Sequence, residues 1–409
     1  MKSVRHPILE YTAVTMPAER SMNWKSELVE AIIDGDMMLV RSLLSSGADI
    51  NQMSLFYGHK EPPLLTAIRY VRLDIAKALL IHGADVNLPS SRGLVPLVHA
   101  AERNFFTLMN DLIRFGADIN ALDGAGHSAL YWMVKARNMD VIQELIKNGA
   151  NINLKSTSTP RQPLLHLVVD STELTRYMLD EGAKVNALDE MHETPLFPAV
   201  RADNVSSVQL LLSRGVRVNE VNDDYRTALH LAAASVNNSL EITELLLQHG
   251  AEVNAFDRYL NTPLVLTLRN YILQPNKKVA RCLIQHGSLI KYKLCSEALE
   301  WTIGTDLELL QFAISAGLRL CRVPWVRELL CETVSRKQWH IIGQDNEHKQ
   351  RVIDYVRTEL QHVHSLSTSC RIVIREHLIH ANNGHSILAG IRCLPLPQTL
   401  KEYLQLTDG

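Results

Sequence analysis

The sequence predicts an all-α solenoid of about eight or nine helix-turn-helix repeats, followed by a small C-terminal helical module. Two observations carry this. A five-residue tag recurs down the chain, from Gly47-Ala48-Asp49-Ile50-Asn51 to Gly250-Ala251-Glu252-Val253-Asn254, with glycines 36, 33, 33, 33, 33 and 35 residues apart. A period near 33 is the signature of stacked helical units. The second observation is that the last forty residues escape the period and carry a different pattern.

Within one unit, residues 189–219, Asp189 opens a turn and Thr194-Pro195-Leu196 starts a helix. Threonine serves as N-cap, and proline at the first helical position loses no needed donor. A second helix places Val208, Leu211 and Leu212 on one face. Gly215 ends it, because a left-handed residue there is cheap only for glycine. The start signal recurs at Pro63, Pro96, Pro163, Thr227 and Thr262-Pro263, and paired apolar residues recur in every second helix, as in Leu79-Leu80 and Leu246-Leu247. This resembles the ankyrin repeat over about residues 23–290. Residues 23–51 read as a first repeat without its Thr-Pro start. Gly287-Ser288-Leu289-Ile290 reads as a decayed tag, and 294–321 as one more degenerate unit. The histidines at the helix starts, His99, His166 and His230, are expected to hydrogen-bond between repeats rather than to bind metal.

The bulk properties fit a soluble binding protein. Of 409 residues, 46% are hydrophobic and 21% charged, with a formal net charge of -2, so wholesale nucleic-acid binding is not expected. Residues 1–22 have no signal-peptide core, and no apolar run reaches the roughly 20 residues of a membrane span. All six cysteines lie in the last third at irregular spacing, which reads as reduced, mostly buried thiols in a cytosolic or nuclear protein. No cofactor or metal site is expected: His362 and His364 lack further ligands. Nothing reads as catalytic either. The chain has no phosphate-cradling glycine loop, no nucleophile elbow and no His-Glu-x-x-His helix, and no Cys-x-x-Cys pair for a zinc-binding ubiquitin-transfer module.

From Ser365 onward, Leu366, Cys370 and Ile374 fall on one helical stripe, with Arg371, Arg375 and Glu376 largely off it. Asn382-Asn383-Gly384 breaks the helix. Ile391 and Leu394-Pro395-Leu396-Pro397 follow, and the prolines impose an extended segment. A short helix around Leu400 to Leu404 closes the pattern. A simple cap over the last repeat would also be helical, but this order of features resembles the suppressor-of-cytokine-signalling (SOCS) box, and the whole chain resembles the ankyrin-repeat-and-SOCS-box family.

That resemblance implies a substrate-recognition subunit of a ubiquitin ligase, not an enzyme in itself. The box is expected to dock on Elongin B/C through Leu366, Cys370 and Ile374. Pro395, Leu396 and Pro397, supported by Ile391 and Leu394, are expected to select Cullin-5 with its RING protein. The alternative on the residues alone is a plain ankyrin scaffold or inhibitor. The implied organisation is an extension (1–22), repeats (23–321), a helical bridge (322–364) and the box (365–409). A family-specific partner site within the bridge is the other reading of 322–364.

Scaffold residues repeat between units, whereas turn tips do not, so the tips are expected to meet the protein substrate. Counting back from each helix start gives charged or aromatic tip residues, His59, Glu61, Arg92 and His127 among them. The stripe expected to contact substrate is Arg161, Glu190, Glu193, Asp223, Asp224, Arg226, Arg258 and Tyr259. Arg226 and Tyr259 lead it, since Arg and Tyr are enriched among binding hot spots.

Overall fold

The computed structural model describes residues 27–56, 58–154, 161–235, 240–270 and 277–289, together with positions 308, 311, 351, 354, 355, 375, 387 and 391. The chain divides into two compact units, residues 1–133 and 134–409.

In the first unit, helices pack in consecutive pairs: α1 (Glu27–Asp34) with α2 (Met37–Ser45), α3 (Pro63–Arg69) with α4 (Leu73–Ile81), and α5 (Pro96–Glu102) with α6 (Phe106–Arg114). First helices pack on first helices, α1 on α3 and α3 on α5, and second helices do likewise, α2 on α4 and α4 on α6. The core between the layers is the periodic apolar set, including Ile32, Val40, Leu65, Ile68, Leu79, Leu97, Leu108 and Leu112, all essentially unexposed. α7 (Ala129–Ala136) spans the division.

The second unit holds α8 (Met139–Lys147), α9 (Thr172–Asp180), α10 (Leu196–Arg201), α11 (Val205–Ser213), α12 (Ala228–Ala234), α13 (Leu240–Gln248), α14 (Pro263–Asn270) and α15 (Lys277–Gln285). The same two layers recur, α10–α12–α14 and α9–α11–α13–α15. The first helix of the fifth repeat, the one that ends at Gly182, is instead a short 3-10 turn, Leu164–Leu167. Thr172 begins the next helix nine residues after Pro163, whereas Phe106 begins ten after Pro96 and Val205 ten after Pro195. One residue fewer leaves no room for a full α-turn before the chain reverses.

Every tag glycine from Gly47 to Gly250 takes a left-handed φ, and so does Gly287, so the decayed tag keeps its geometry. The tag asparagine explains the rest of the motif. Asn87 Oδ1 accepts from Asp118 N–H (2.8 Å) while its Nδ2 donates to Gly116 O (3.1 Å). Asn153, Asn186, Asn219 and Asn254 make the same two-way clamp on the next tag. Only a side-chain amide offers donor and acceptor together here, and each clamp satisfies two backbone groups left over at a helix end.

Two helix-start histidines bridge repeats as expected. His166 Nε2 donates to Glu193 O (2.8 Å). His230 accepts at Nδ1 from Thr227 N–H (3.1 Å) and donates from Nε2 to Asn261 O (3.2 Å), which selects the neutral Nε2–H tautomer. His99 differs: its Nδ1 pairs with Glu102 in its own helix (3.2 Å), and no partner meets its Nε2. Thr227 and Thr262 cap their helices, but the Thr194 hydroxyl is buried with no partner.

Burial lowers the pKa of His230, outweighing the Asn261 carbonyl and the Asp257 charge; Arg226 adds to the lowering. The unfolded chain therefore takes up a proton near the ordinary histidine value of 6.5 that the folded chain refuses. The stabilisation is complete above that value and drains away below it. Thermal melts should show Tm falling as pH drops from about 7 to about 5.5, and His230→Gln should flatten that slope. An unchanged slope in the variant would show that His230 is not its source.

A two-stranded hairpin was not legible in the all-α reading. β1 (Ser54–Phe56) pairs antiparallel with β2 (His59–Glu61), registering Ser54 with Glu61 and Phe56 with His59. Gly58 at φ 78 makes the turn.

Residues of the C-terminal segment meet the repeat that ends at Gly287 within the second unit. Arg375, expected off the apolar stripe, is instead buried and donates from Nη2 to Ile284 O (2.9 Å). Ile387 N–H donates to His286 O (3.0 Å), and Ile387 and Ile391 are fully buried. These donors reach carbonyls at and just past the C-terminal end of α15, where Ile284 O also accepts from Gly287 N–H (3.1 Å). Burial of Arg375 escapes the stripe because helical periodicity sees only one buried face. Contacts with a second element bury another.

Candidate protein-interaction surface

The tips between repeats share one construction. In Ser90–Leu94, Asp123–His127, Asp189–Glu193, Asn222–Arg226 and Asp257–Asn261, the first side chain accepts from the backbone N–H of the third and fifth residues. The first N–H donates to the fifth carbonyl, and the fourth N–H to the first carbonyl. Short Asp, Asn and Ser side chains do this because their oxygen reaches the backbone two residues on. At Asp257, burial works against the charged carboxylate, but the Asn261 and Tyr259 N–H groups and the Asn261 side-chain amide outweigh it and hold the pKa below the usual value.

Successive tips are also tied together. Asp223 N–H donates to Met191 O (3.2 Å) and Arg258 N–H to Asp224 O (2.8 Å). In the first unit Ser91 N–H donates to Lys60 O (2.8 Å). There the approach is so close that a Cβ on Gly124 would lie 2.0 Å from Arg92 O.

The structure divides the expected substrate stripe. Arg161, Glu190, Asp223, Arg258 and Tyr259 are exposed, and Asp224 and Arg226 partly so. Most of these charged side chains have a partner at the tips. His192 meets Asp223 (2.7 Å), Arg258 meets Asp224 (3.7 Å), and Arg226 meets the buried Asp257 (3.5 Å).

Glu193 corrects the expectation. It is 1% exposed, pairs with Arg201, and accepts from Asn222 Nδ2 (3.0 Å), so it is not a surface contact. Glu61, also expected at a tip, is fully buried against Arg69 (2.9 Å), Thr66 (3.1 Å) and His59 (3.6 Å). Both glutamates stand two residues before a helix-start proline, and both pair with the arginine eight residues on. Counting back from the proline found the tip but not the direction of its last side chain. The repeated Glu-to-Arg spacing was the available signal.

The sequence reading missed four large apolar residues at or beside the same tips: Met191, Tyr225, Phe256 and Leu260 are exposed, alongside Tyr259. His192, Tyr225 and Leu260 hold a left-handed φ of 58–59° at the tip position where Gly93 and Gly126 stand in the other tips.

Leu366, Cys370, Ile374, Leu394, Pro395, Leu396 and Pro397 lie outside the described residues. Of the cysteines only Cys282 is described. It is free and buried, and desolvation, helped by Glu244, pushes its thiol up to about 12. Among the described residues no group of His, Cys, Asp or Glu could hold a metal, and no helix is long and apolar enough to cross a membrane.

Comparison with known families accounts for both halves of the chain. Overlapping matches to the family model "Ankyrin repeats (3 copies)" run from residue 28 to 294, and the SOCS box model matches residues 362–405. The chain belongs to the ankyrin-repeat-and-SOCS-box family. Neither matched model of this ankyrin-repeat/SOCS-box protein is a catalytic domain. A mouse 2-5A-dependent ribonuclease is 37% identical over 75 residues, 18% of this chain and 10% of that protein. The chain thus spans about a tenth of that relative. A crystal structure of the human ASB11 ankyrin repeat domain is 26% identical with a TM-score of 0.44, covering 55% of this chain and 98% of that one.

Proposed function

We propose that this protein is the substrate-recognition subunit of a Cullin-5/Elongin B/C ubiquitin ligase. The repeats select a protein substrate, and the box recruits the ligase that marks it for degradation. The observation that carries this is the SOCS box match at 362–405 on the same chain as the ankyrin matches. A binding array alone needs no such module.

In this reading residues 365–409 act as a docking unit. Leu366, Cys370 and Ile374 insert as apolar anchors into Elongin C, with Cys370 a small hydrophobe and not a nucleophile. Leu394, Pro395, Leu396 and Pro397 meet Cullin-5. Ile391 supports them from inside the chain, since it is fully buried. The contacts of Arg375 and Ile387 with Ile284 and His286 tie the box to the repeat that ends at Gly287, so substrate is held at a fixed place relative to the ligase. The protein transfers no ubiquitin itself and works in the cytosol or nucleus.

The cullin half is tested by pull-down of Cullin-5 on the full chain saturated with Elongin B/C. Pro395→Ala/Pro397→Ala should retain Elongin B/C and lose about tenfold or more in Cullin-5 affinity. Equal Cullin-5 capture by this variant would remove the proline segment from the interface.

A further inference from the structure

The tips at 189–193, 222–226 and 257–261 carry costs that folding does not explain. Met191, Tyr225, Tyr259 and Leu260 are each 60–67% exposed, although no packing is gained by leaving them in water. Tyr225 and Leu260 also hold left-handed backbone, which side chains with a Cβ resist and which glycine adopts freely at the matching positions 93 and 126. Strain and exposure at the same residues point to function at that place.

We infer that these three tips form a docking strip for a basic, apolar-rich segment of a protein partner. This rests on the reading that the array selects substrate, and it names the chemistry selected. The apolar character comes from the four exposed side chains. Inter-tip hydrogen bonds from Asp223 N–H to Met191 O and from Arg258 N–H to Asp224 O hold them in register, so little ordering is left to be done on binding. The charge preference comes from the surroundings. The fifteen tip residues include six carboxylates and two arginines. Arg226 faces Asp257, Arg258 faces Asp224, and Glu193 is matched by Arg201. Among the described residues Glu190 and Asp223 meet no lysine or arginine at the exposed rim, and Asp223 is held only by the exposed His192 ring (2.7 Å). A partner's Lys or Arg side chains would find those carboxylates while its apolar residues cover the rings. The tip charges therefore tune selection, while the apolar residues are its anchors.

The test is selection from a displayed library of random peptides on the full-length chain, followed by titration of the selected consensus as a labelled peptide. Selected sequences should be rich in Lys or Arg interleaved with large apolar residues. Tyr225→Gly/Leu260→Gly should weaken the consensus peptide about tenfold or more, while leaving Tm unchanged or raised, because glycine relieves the backbone. Simple destabilisation cannot produce that pairing of results. Four outcomes would overturn the inference: no binders, binders without basic and apolar character, affinity unmoved by the double variant, or concentration-dependent self-association of the chain that the variant abolishes. Elongin B/C capture by the same preparations is read separately, so a failed adaptor reading and a failed strip are distinguishable.

Discussion

Leu366→Ala/Cys370→Ala should lower the affinity of the full chain for Elongin B/C by about a thousandfold. Anchors in a helix-in-groove interface each contribute roughly 2 kcal/mol or more, and two such losses together reach about 4 kcal/mol. The array should be untouched, since neither residue belongs to the repeats. Calorimetric titration of Elongin B/C, beside a thermal melt of each preparation, reads both quantities. Near-equal affinity with an unchanged melt would remove these residues from the interface.

Arg69→Ala should be the most destabilising single change among the arginines of the first unit, by about 3 kcal/mol. Glu61 is fully buried, and Arg69 meets it through Nη2 at 2.9 Å and Nε at 3.2 Å. Removing the arginine strands a buried carboxylate with only the Thr66 hydroxyl and the more distant His59 ring. Arg201→Ala breaks the equivalent pair with Glu193 but should cost less. Arg201 is about half exposed, and Asn222 Nδ2 still donates to Glu193. Urea denaturation of both variants gives the order; the reverse order would mean that burial of the glutamate does not set the cost.

Much of this architecture was legible because its determinants are local. A glycine that must take positive φ after each second helix leaves a period, and so does an asparagine that must both donate and accept. The decayed tag at Gly287 was readable for the same reason: its φ stayed positive when its side-chain pattern drifted. The readings that failed depend on direction in space. Glu61 and Glu193 sit at tips by count, yet their side chains turn inward to arginines one helix away. Arg375 lies off one helical stripe and is buried by α15. The hairpin at 54–61 comes from pairing across Gly58, which a helical period does not report. Tyr225 and Leu260 escape a reading of the tips by charge, although they replace the glycine that stands at the same place in sister tips.

The measurement that bears most directly on the central claim is co-expression of the full chain with Elongin B/C, followed by size-exclusion chromatography with mass determination. The account predicts a stable complex with one copy each of the chain, Elongin B and Elongin C, lost with Leu366→Ala/Cys370→Ala while the chain stays folded. A folded, intact chain eluting alone would contradict it, leaving residues 365–409 as a cap and the protein as a binding scaffold.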